Sequence, residues 1–145
     1  YDRDGDLDVL ITENTGPVRL YRNDLRSVDR TGNEPPHVLQ VDLRGAAGTR
    51  RADDLERPTN RDAIGSRVTV FADTLTLRRY VSGSSSYLSQ NTRICTFGLG
   101  AETRVDSLRI RWHGGRVRRI RRPLDANQRL IVREGRARIE TRGLP

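Results

Sequence analysis

The chain has 145 residues, which is enough for one domain, or for one domain with a short additional segment. All 27 of its basic residues are arginine, and against 19 acidic residues they leave a formal net charge of +8. The single cysteine excludes a disulfide within the chain and a cysteine-rich zinc site, and no apolar run approaches the roughly 18 residues of a membrane-spanning helix.

Aspartates occupy every second position near the start of the chain, at Asp2, Asp4, Asp6 and Asp8, around Gly5. Closely spaced carboxylates beside a glycine are typical of a calcium-binding loop, because calcium prefers several oxygen ligands. Ile11 stands where an EF-hand has its final glutamate, so the loop is of another kind, and its first ligand would precede Tyr1. We therefore expect these four aspartates to bind calcium in a longer parent protein, and weakly or not at all in this chain alone. An acidic turn without an ion is the alternative.

A change in charge divides the chain. Residues 1–35 hold 8 acidic residues and 5 arginines, a balance of −3, and residues 36–145 hold 11 acidic residues and 22 arginines, a balance of +11. The consecutive prolines Pro35 and Pro36 cannot continue a helix or a central strand. This pattern predicts a short acidic unit, 1–35, followed by a basic domain, 36–145.

The basic domain contains short runs in which apolar and polar residues alternate, as in half-buried strands. These runs fall at residues 39–43, 68–71, 75–81, 108–112 and 130–132. Helical periodicity is nearly absent, with one weak helical turn expected at 53–57 inside a long polar loop, 45–60. The fold class predicted is all-β, an antiparallel β-sandwich.

A β-hairpin is predicted where Gly114 and Gly115 separate two strand-like runs, 105–112 and 116–121, because paired glycines supply the positive φ of tight turns. Alternation turns Arg109 and Arg111 away from the apolar face of the first strand. The second strand adds further arginines. The surface predicted to bind an anionic partner consists of Arg109, Arg111, Arg116, Arg118 and Arg119.

Guanidinium groups suit sulfate, phosphate and carboxylate, so the expected partner is an acidic glycan or an acidic protein surface, including an upstream part of the same protein. Nucleic acid is disfavoured, since aromatic platforms for base stacking are nearly absent. A solvated surface that reflects only the arginine-rich composition is the alternative to any partner.

No catalytic residue is predicted. His37 and His113 lie in no recognisable motif, and the serines of residues 82–86 lack the strand–turn–helix setting of an activated serine. Cys95 fits a small buried apolar residue on a strand. Asn60, Arg61 and Asp62 fit a polar cluster that organises the loop leading into the strand at Val68.

Two stretches resemble known families. The aspartate loop, followed by Val9-Leu-Ile-Thr and by Gly16-Pro-Val-Arg-Leu-Tyr-Arg-Asn, resembles an FG-GAP/VCBS repeat, the blade unit of integrin-like β-propellers. The basic domain resembles the ASPIC/UnbV domain of the cartilage-acidic-protein family. The motifs that carry this resemblance are Asn60-Arg-Asp-Ala-Ile-Gly-Ser-Arg-Val-Thr-Val, Val81-Ser-Gly-Ser-Ser-Ser-Tyr-Leu-Ser-Gln and Phe97-Gly-Leu-Gly.

The resemblance implies an extracellular or cell-envelope protein with a calcium-binding propeller upstream, of which residues 1–35 are the last blade remnant. The resemblance does not imply a particular chemistry, and the function we expect is that of a non-catalytic interaction or adhesion module. The alternative is an accessory or catalytic part of a secondary-metabolite protein of the enediyne type, with a site shared with the propeller.

Overall fold

The computed structural model describes residues 2, 5–26, 34–84 and 87–144. These residues form short strands joined by loops, with one 3-10 turn at Arg50–Ala52. The strands are β1 (Val9–Ile11), β2 (Arg19–Tyr21), β3 (His37–Arg44), β4 (Arg67–Ala72), β5 (Leu75–Tyr80), β6 (Cys95–Gly100), β7 (Arg104–Val105), β8 (Ser107–Arg111), β9 (Val117–Ile120), β10 (Leu124–Asp125), β11 (Gln128–Arg133) and β12 (Ile139–Gly143).

Two four-stranded sheets build the domain. Sheet I is antiparallel, in the order β5-β4-β8-β9, and sheet II has the order β12-β11-β3-β6. In sheet II the central strands β3 and β11 run parallel, and the outer pairs are antiparallel. The predicted all-β sandwich is confirmed, with this parallel pair at its centre as a feature that the sequence does not reveal.

The core lies between the two sheets, because each strand turns alternate side chains inward. Val68 and Val70 of β4 and Leu108 and Ile110 of β8 are at most 1% exposed. Residues of β3, β6 and β11 belong to the same buried cluster, which joins both sheets. Trp112 is 3% exposed in this cluster, as its position on the apolar side of the strand predicts.

The long loop 45–60 is held down by one buried carboxylate. Glu134, 2% exposed, accepts hydrogen bonds from the backbone N–H groups of Ala46 (3.1 Å) and Thr59 (2.8 Å), and from the Thr59 hydroxyl (2.9 Å). These bonds fix the loop near both of its ends. The predicted helical turn at 53–57 is wrong, since this segment forms turns and bends after the 3-10 turn.

The N-terminal unit contributes a separate two-stranded sheet, in which β1 pairs with β2. Its side chains, Leu10 and Leu20 among them, are exposed on both strands. The division of the chain at residue 35 stays a prediction. No helix among the described residues is both long enough and apolar enough to span a membrane.

Candidate anion-binding site

The predicted hairpin is present, with β8 and β9 antiparallel and joined through residues 112–116. Gly115 has a φ of +97°, which favours glycine at this position of the turn. Gly114 passes so close to the loop 45–60 that a Cβ there would lie 2.0 Å from the carbonyl oxygen of Arg57. The two glycines therefore shape the turn and seat it against the loop.

The register of the hairpin places two arginines directly opposite each other. Arg109 of β8 pairs with Arg119 of β9, and directly paired residues project to the same side of a sheet. Because the neighbouring Leu108 and Ile110 are buried in the core, Arg109 and Arg119 lie on the outer side of sheet I.

Strand β4 extends this arrangement across the sheet. Arg67 pairs with Arg111 of β8, and Thr69 lies between Arg109 on one side and Arg78 of β5 on the other. We call the outward side chains of these five arginines the basic face of sheet I. They are Arg67, Arg78, Arg109, Arg111 and Arg119.

The basic face contains no carboxylate. The outward positions of the four strands hold, besides the five arginines, only Thr69, Phe71, Thr76, Tyr80, Ser107 and Val117. None of the five arginines forms an ion pair within 4.0 Å with a carboxylate of the described residues. The charge of the face is therefore not neutralised by the described part of the chain.

Tyr80 reports the positive potential at one end of the face. The Arg67 guanidinium carbon lies 6.0 Å from the centre of the Tyr80 ring. The pKa of Tyr80 is lowered, first by a hydrogen bond from Arg67 and further by the positive charges of Arg67, Arg78 and Arg111. At the centre of the face, Thr69 is only 5% exposed and the Nε of Arg109 is buried.

Two of the five arginines predicted from the sequence lie elsewhere. Arg118 pairs with the buried Ile110, on the core-facing side of the hairpin, and its guanidinium donates to the carbonyl oxygens of Arg136 and Ala137, each at 2.6 Å. Burial lowers the pKa of Arg118. The Arg118 side chain links the edge of sheet I to the loop between β11 and β12, and therefore has a structural role.

Arg116 also projects away from the basic face. Its backbone pairs with Trp112 at the end of the hairpin, and it lines a shallow pocket with Asp54, Glu56 and Arg57. The carboxylates of this pocket give Arg116 a less positive setting than that of Arg109 or Arg111.

Sequence reasoning missed Arg67 and Arg78. The alternation of Val68 and Val70 with Thr69 predicts that Arg67 points outward. The sequence does not indicate that β4 lies between β5 and β8. This strand order brings the arginines of β4 and β5 together with those of the hairpin.

The four aspartates predicted to bind calcium are described only in part. Asp2 lies 4.0 Å from the Nε of Arg22, Asp6 accepts from the backbone N–H of Arg26 (3.4 Å), and Asp8 accepts from that of Asn23 (2.9 Å). Asp4 lies outside the described residues. Within the described ranges, no group of three or more carboxylate, histidine or cysteine side chains is arranged to hold a metal ion.

Of the polar cluster predicted to organise a loop, Asn60 does so, whereas Asp62 forms an ion pair with Arg93 at 3.3 Å. The Asn60 side chain accepts from the backbone N–H of Ile64 (2.9 Å) and donates to its carbonyl oxygen (2.8 Å). Ala63, between them, has a φ of +56° and is fully buried. Cys95 is buried, as predicted, and burial raises the pKa of its thiol to about 11.

The fold and this face define an all-β sandwich domain with one strongly cationic outer sheet. A scan of protein-family models matches residues 56–139, more than half of the chain, to the family described as ASPIC and UnbV. The chain therefore belongs to the ASPIC and UnbV family. A search of curated proteins found no match. The resemblance of residues 1–35 to an FG-GAP/VCBS repeat stays a prediction.

Proposed function

We propose that this ASPIC/UnbV domain is a non-catalytic interaction module of an extracellular or cell-envelope protein, and that it binds an anionic partner through the basic face of sheet I. The observation that carries this proposal is the grouping of five arginines on one sheet face without a carboxylate among them.

The energetic setting supports a partner. Arg109 faces Arg119, and Arg67 faces Arg111, as directly opposed cross-strand pairs. Like charges in that position destabilise a sheet unless a counter-charge is supplied. Since no described carboxylate supplies it, an external anion gains electrostatic energy by binding there.

Cation-exchange chromatography tests where the binding charge resides. Arg109→Thr/Arg111→Thr and the control Arg138→Thr/Arg142→Thr, near and in β12, remove the same net charge. We expect the first variant to elute at clearly lower salt than the control. Equal elution of the two variants would show that only net charge matters, and would overturn the proposal.

The proposal extends to the N-terminal unit, which we propose to be a remnant of a propeller blade that packs against an upstream propeller of the same protein. Its support is the hairpin of β1 and β2, whose apolar side chains are exposed and need a covering partner, Val9, Leu10, Ile11 and Leu20 among them.

Within this unit, Asp2, Asp4, Asp6 and Asp8 would hold a calcium ion, which would brace the loop between the blade strands. The support is their alternation and the φ of +102° at Gly5, which makes the turn tight. Calorimetry on this chain and on a longer chain with the complete blade tests the assignment. We expect measurable calcium binding only, or much more strongly, in the longer chain, and negligible heat in both would refute it.

A further inference from the structure

We propose that the partner of the basic face is a linear sulfated polysaccharide, which lies across the strands of sheet I. This inference rests on the proposed anion-binding function and specifies the chemical class of the ligand. It follows from the arrangement of the charges, from what lies between them and from the chemistry of the guanidinium group.

The charges form a strip. Arg78, Arg109 and Arg119 lie in one row that crosses all four strands, with Thr69 of β4 between the first two. Neighbouring strands are about 4.8 Å apart, so the row is about 14 Å long. A second row, with Arg67 and Arg111, runs beside it at about 7 Å, two residues along each strand. A single small anion would engage only part of this strip, whereas a chain with repeated anionic groups matches it.

The surface between the charges is polar. Tyr80 and Val117 lie at opposite ends of the second row, and the centre is formed by Thr69 and the arginine side chains. Protein interfaces generally have an apolar centre with a polar rim, which is the reverse of this arrangement. Single-stranded nucleic acid requires successive aromatic platforms, and the strip offers one. A hydrophilic carbohydrate chain requires neither.

The guanidinium pairs favour sulfate over carboxylate. Directly opposed residues have neighbouring side chains on one side of a sheet, and Arg109 and Arg119 are such a pair. A carboxylate has two oxygens, which one guanidinium can engage as a fork. A sulfate ester has three terminal oxygens, so it can accept from both members of an arginine pair at once. It also keeps its charge at every physiological pH.

The experiment measures the affinity of the immobilised 145-residue chain for four soluble probes of similar length. They are a heparin oligosaccharide, its fully desulfated counterpart, polyglutamate and single-stranded DNA. We expect the heparin oligosaccharide to bind at least about tenfold more tightly than each of the others, a difference of about 1.4 kcal/mol. We also expect the binding to weaken steeply as salt rises from 0.1 M to about 1 M, where the Debye length falls to about 3 Å.

Variants locate the site. Arg67→Thr/Arg111→Thr removes the opposed pair of the second row, and Arg78→Thr/Arg119→Thr removes the ends of the first row. Each is expected to lower the heparin affinity at least about tenfold, whereas the control Arg138→Thr/Arg142→Thr changes it less than about threefold. Far-ultraviolet circular dichroism confirms that each variant is folded, and the two face variants substitute for each other if one is not.

The outcomes separate this inference from the proposed function. Equal or tighter binding of desulfated heparin, polyglutamate or DNA, still lost in the face variants, would overturn the sulfated polysaccharide and leave an anion-binding face. Heparin binding that survives in both face variants would overturn the assignment of the site. Absence of binding to all four probes would overturn the inference and the proposed function together.

Discussion

The outer sides of the two sheets carry similar numbers of arginines, five on sheet I and four on sheet II, but differ in the carboxylates that accompany them. In sheet II, Arg44 of β3 lies directly opposite Arg133 of β11, a like-charge pair. Each member has its own carboxylate: Arg44 binds Asp42 at 2.8 Å, and Arg133 binds Glu140 at 3.0 Å. In sheet I, the two opposed arginine pairs have no such carboxylate among the described residues.

A further opposed pair of sheet II has no carboxylate of its own within 4.0 Å among the described residues. Arg129 of β11 faces Arg142 of β12, and its Nε donates to the Gln40 side chain at 2.8 Å. Gln40 is neutral, so among the described residues sheet II neutralises one of its two opposed arginine pairs, whereas sheet I neutralises neither. The two sheets therefore differ in the grouping of their charges. Sheet I places five arginines on one face with no carboxylate among them, whereas the outer side of sheet II mixes arginines with Asp42 and Glu140.

The largest expected effect comes from the core that both sheets share. Trp112, 3% exposed, belongs to the cluster that joins them, so Trp112→Ala should reduce the free energy of unfolding by about 3–5 kcal/mol. Urea unfolding followed by circular dichroism measures it. One cooperative transition is expected, and two separate transitions would show that the sheets are independent units.

A smaller effect is expected when sheet II is made to resemble sheet I. Asp42 is only 9% exposed, and Asp42→Asn removes the carboxylate that neutralises Arg44. The amide oxygen of Asn can still accept from Arg44, but without the negative charge the bond is weaker, and stability should fall by about 1 kcal/mol in urea unfolding. An unchanged stability would mean that the neutralisation in sheet II is without consequence, and would remove the basis of the comparison.

The pH dependence of stability tests the ion pair between Glu140 and Arg133. The pKa of Glu140 is lowered below the ordinary value of 4.5, first by a hydrogen bond from Arg133 and also by that residue's charge. A lowered pKa adds stability above the ordinary pKa, and this stability is lost as the pH falls through the pKa of the folded state. Glu140→Gln should therefore be less stable than wild type at pH 7 and approach it below pH 4. Parallel stability profiles at all pH values would contradict the ion pair.

The smallest effect has the opposite sign. Arg119→Thr removes one member of an unneutralised pair and leaves a good strand-forming residue. Stability in low salt should rise by about 0.2–1 kcal/mol, since like charges directly opposite each other are destabilising. The gain should shrink in high salt, and a loss of stability at low salt would show that Arg119 has an internal partner.

The sequence predicts much of the fold and part of the site, for reasons visible in particular residues. Alternation is a local signal, so it located β4 and β8, the buried side of Trp112 and the outward direction of Arg109 and Arg111. Arg118 obeys the same alternation, since it is one residue from Arg119 and faces the other way, but only the register of the hairpin makes this evident.

Other features depend on contacts between distant residues. The order of strands in sheet I, which joins Arg67 and Arg78 to the hairpin, is a long-range property with no local signal. The same holds for β12, whose residues alternate weakly, and for the parallel pairing of β3 with β11. Glu134 anchors the loop 45–60 through contacts that span 75 or more positions. Nothing in the local sequence distinguishes Glu134 from the other glutamates.

The central claim is that the opposed arginines of the basic face destabilise the free domain and bind an anion. Thermal melting with and without a heparin oligosaccharide tests this claim most directly. Ligand that binds only the folded state raises the melting temperature. In low salt without ligand, Arg119→Thr should melt above wild type, because it lacks one member of an opposed arginine pair. With saturating ligand the order should reverse, with wild type melting higher. The same order under both conditions would contradict the account.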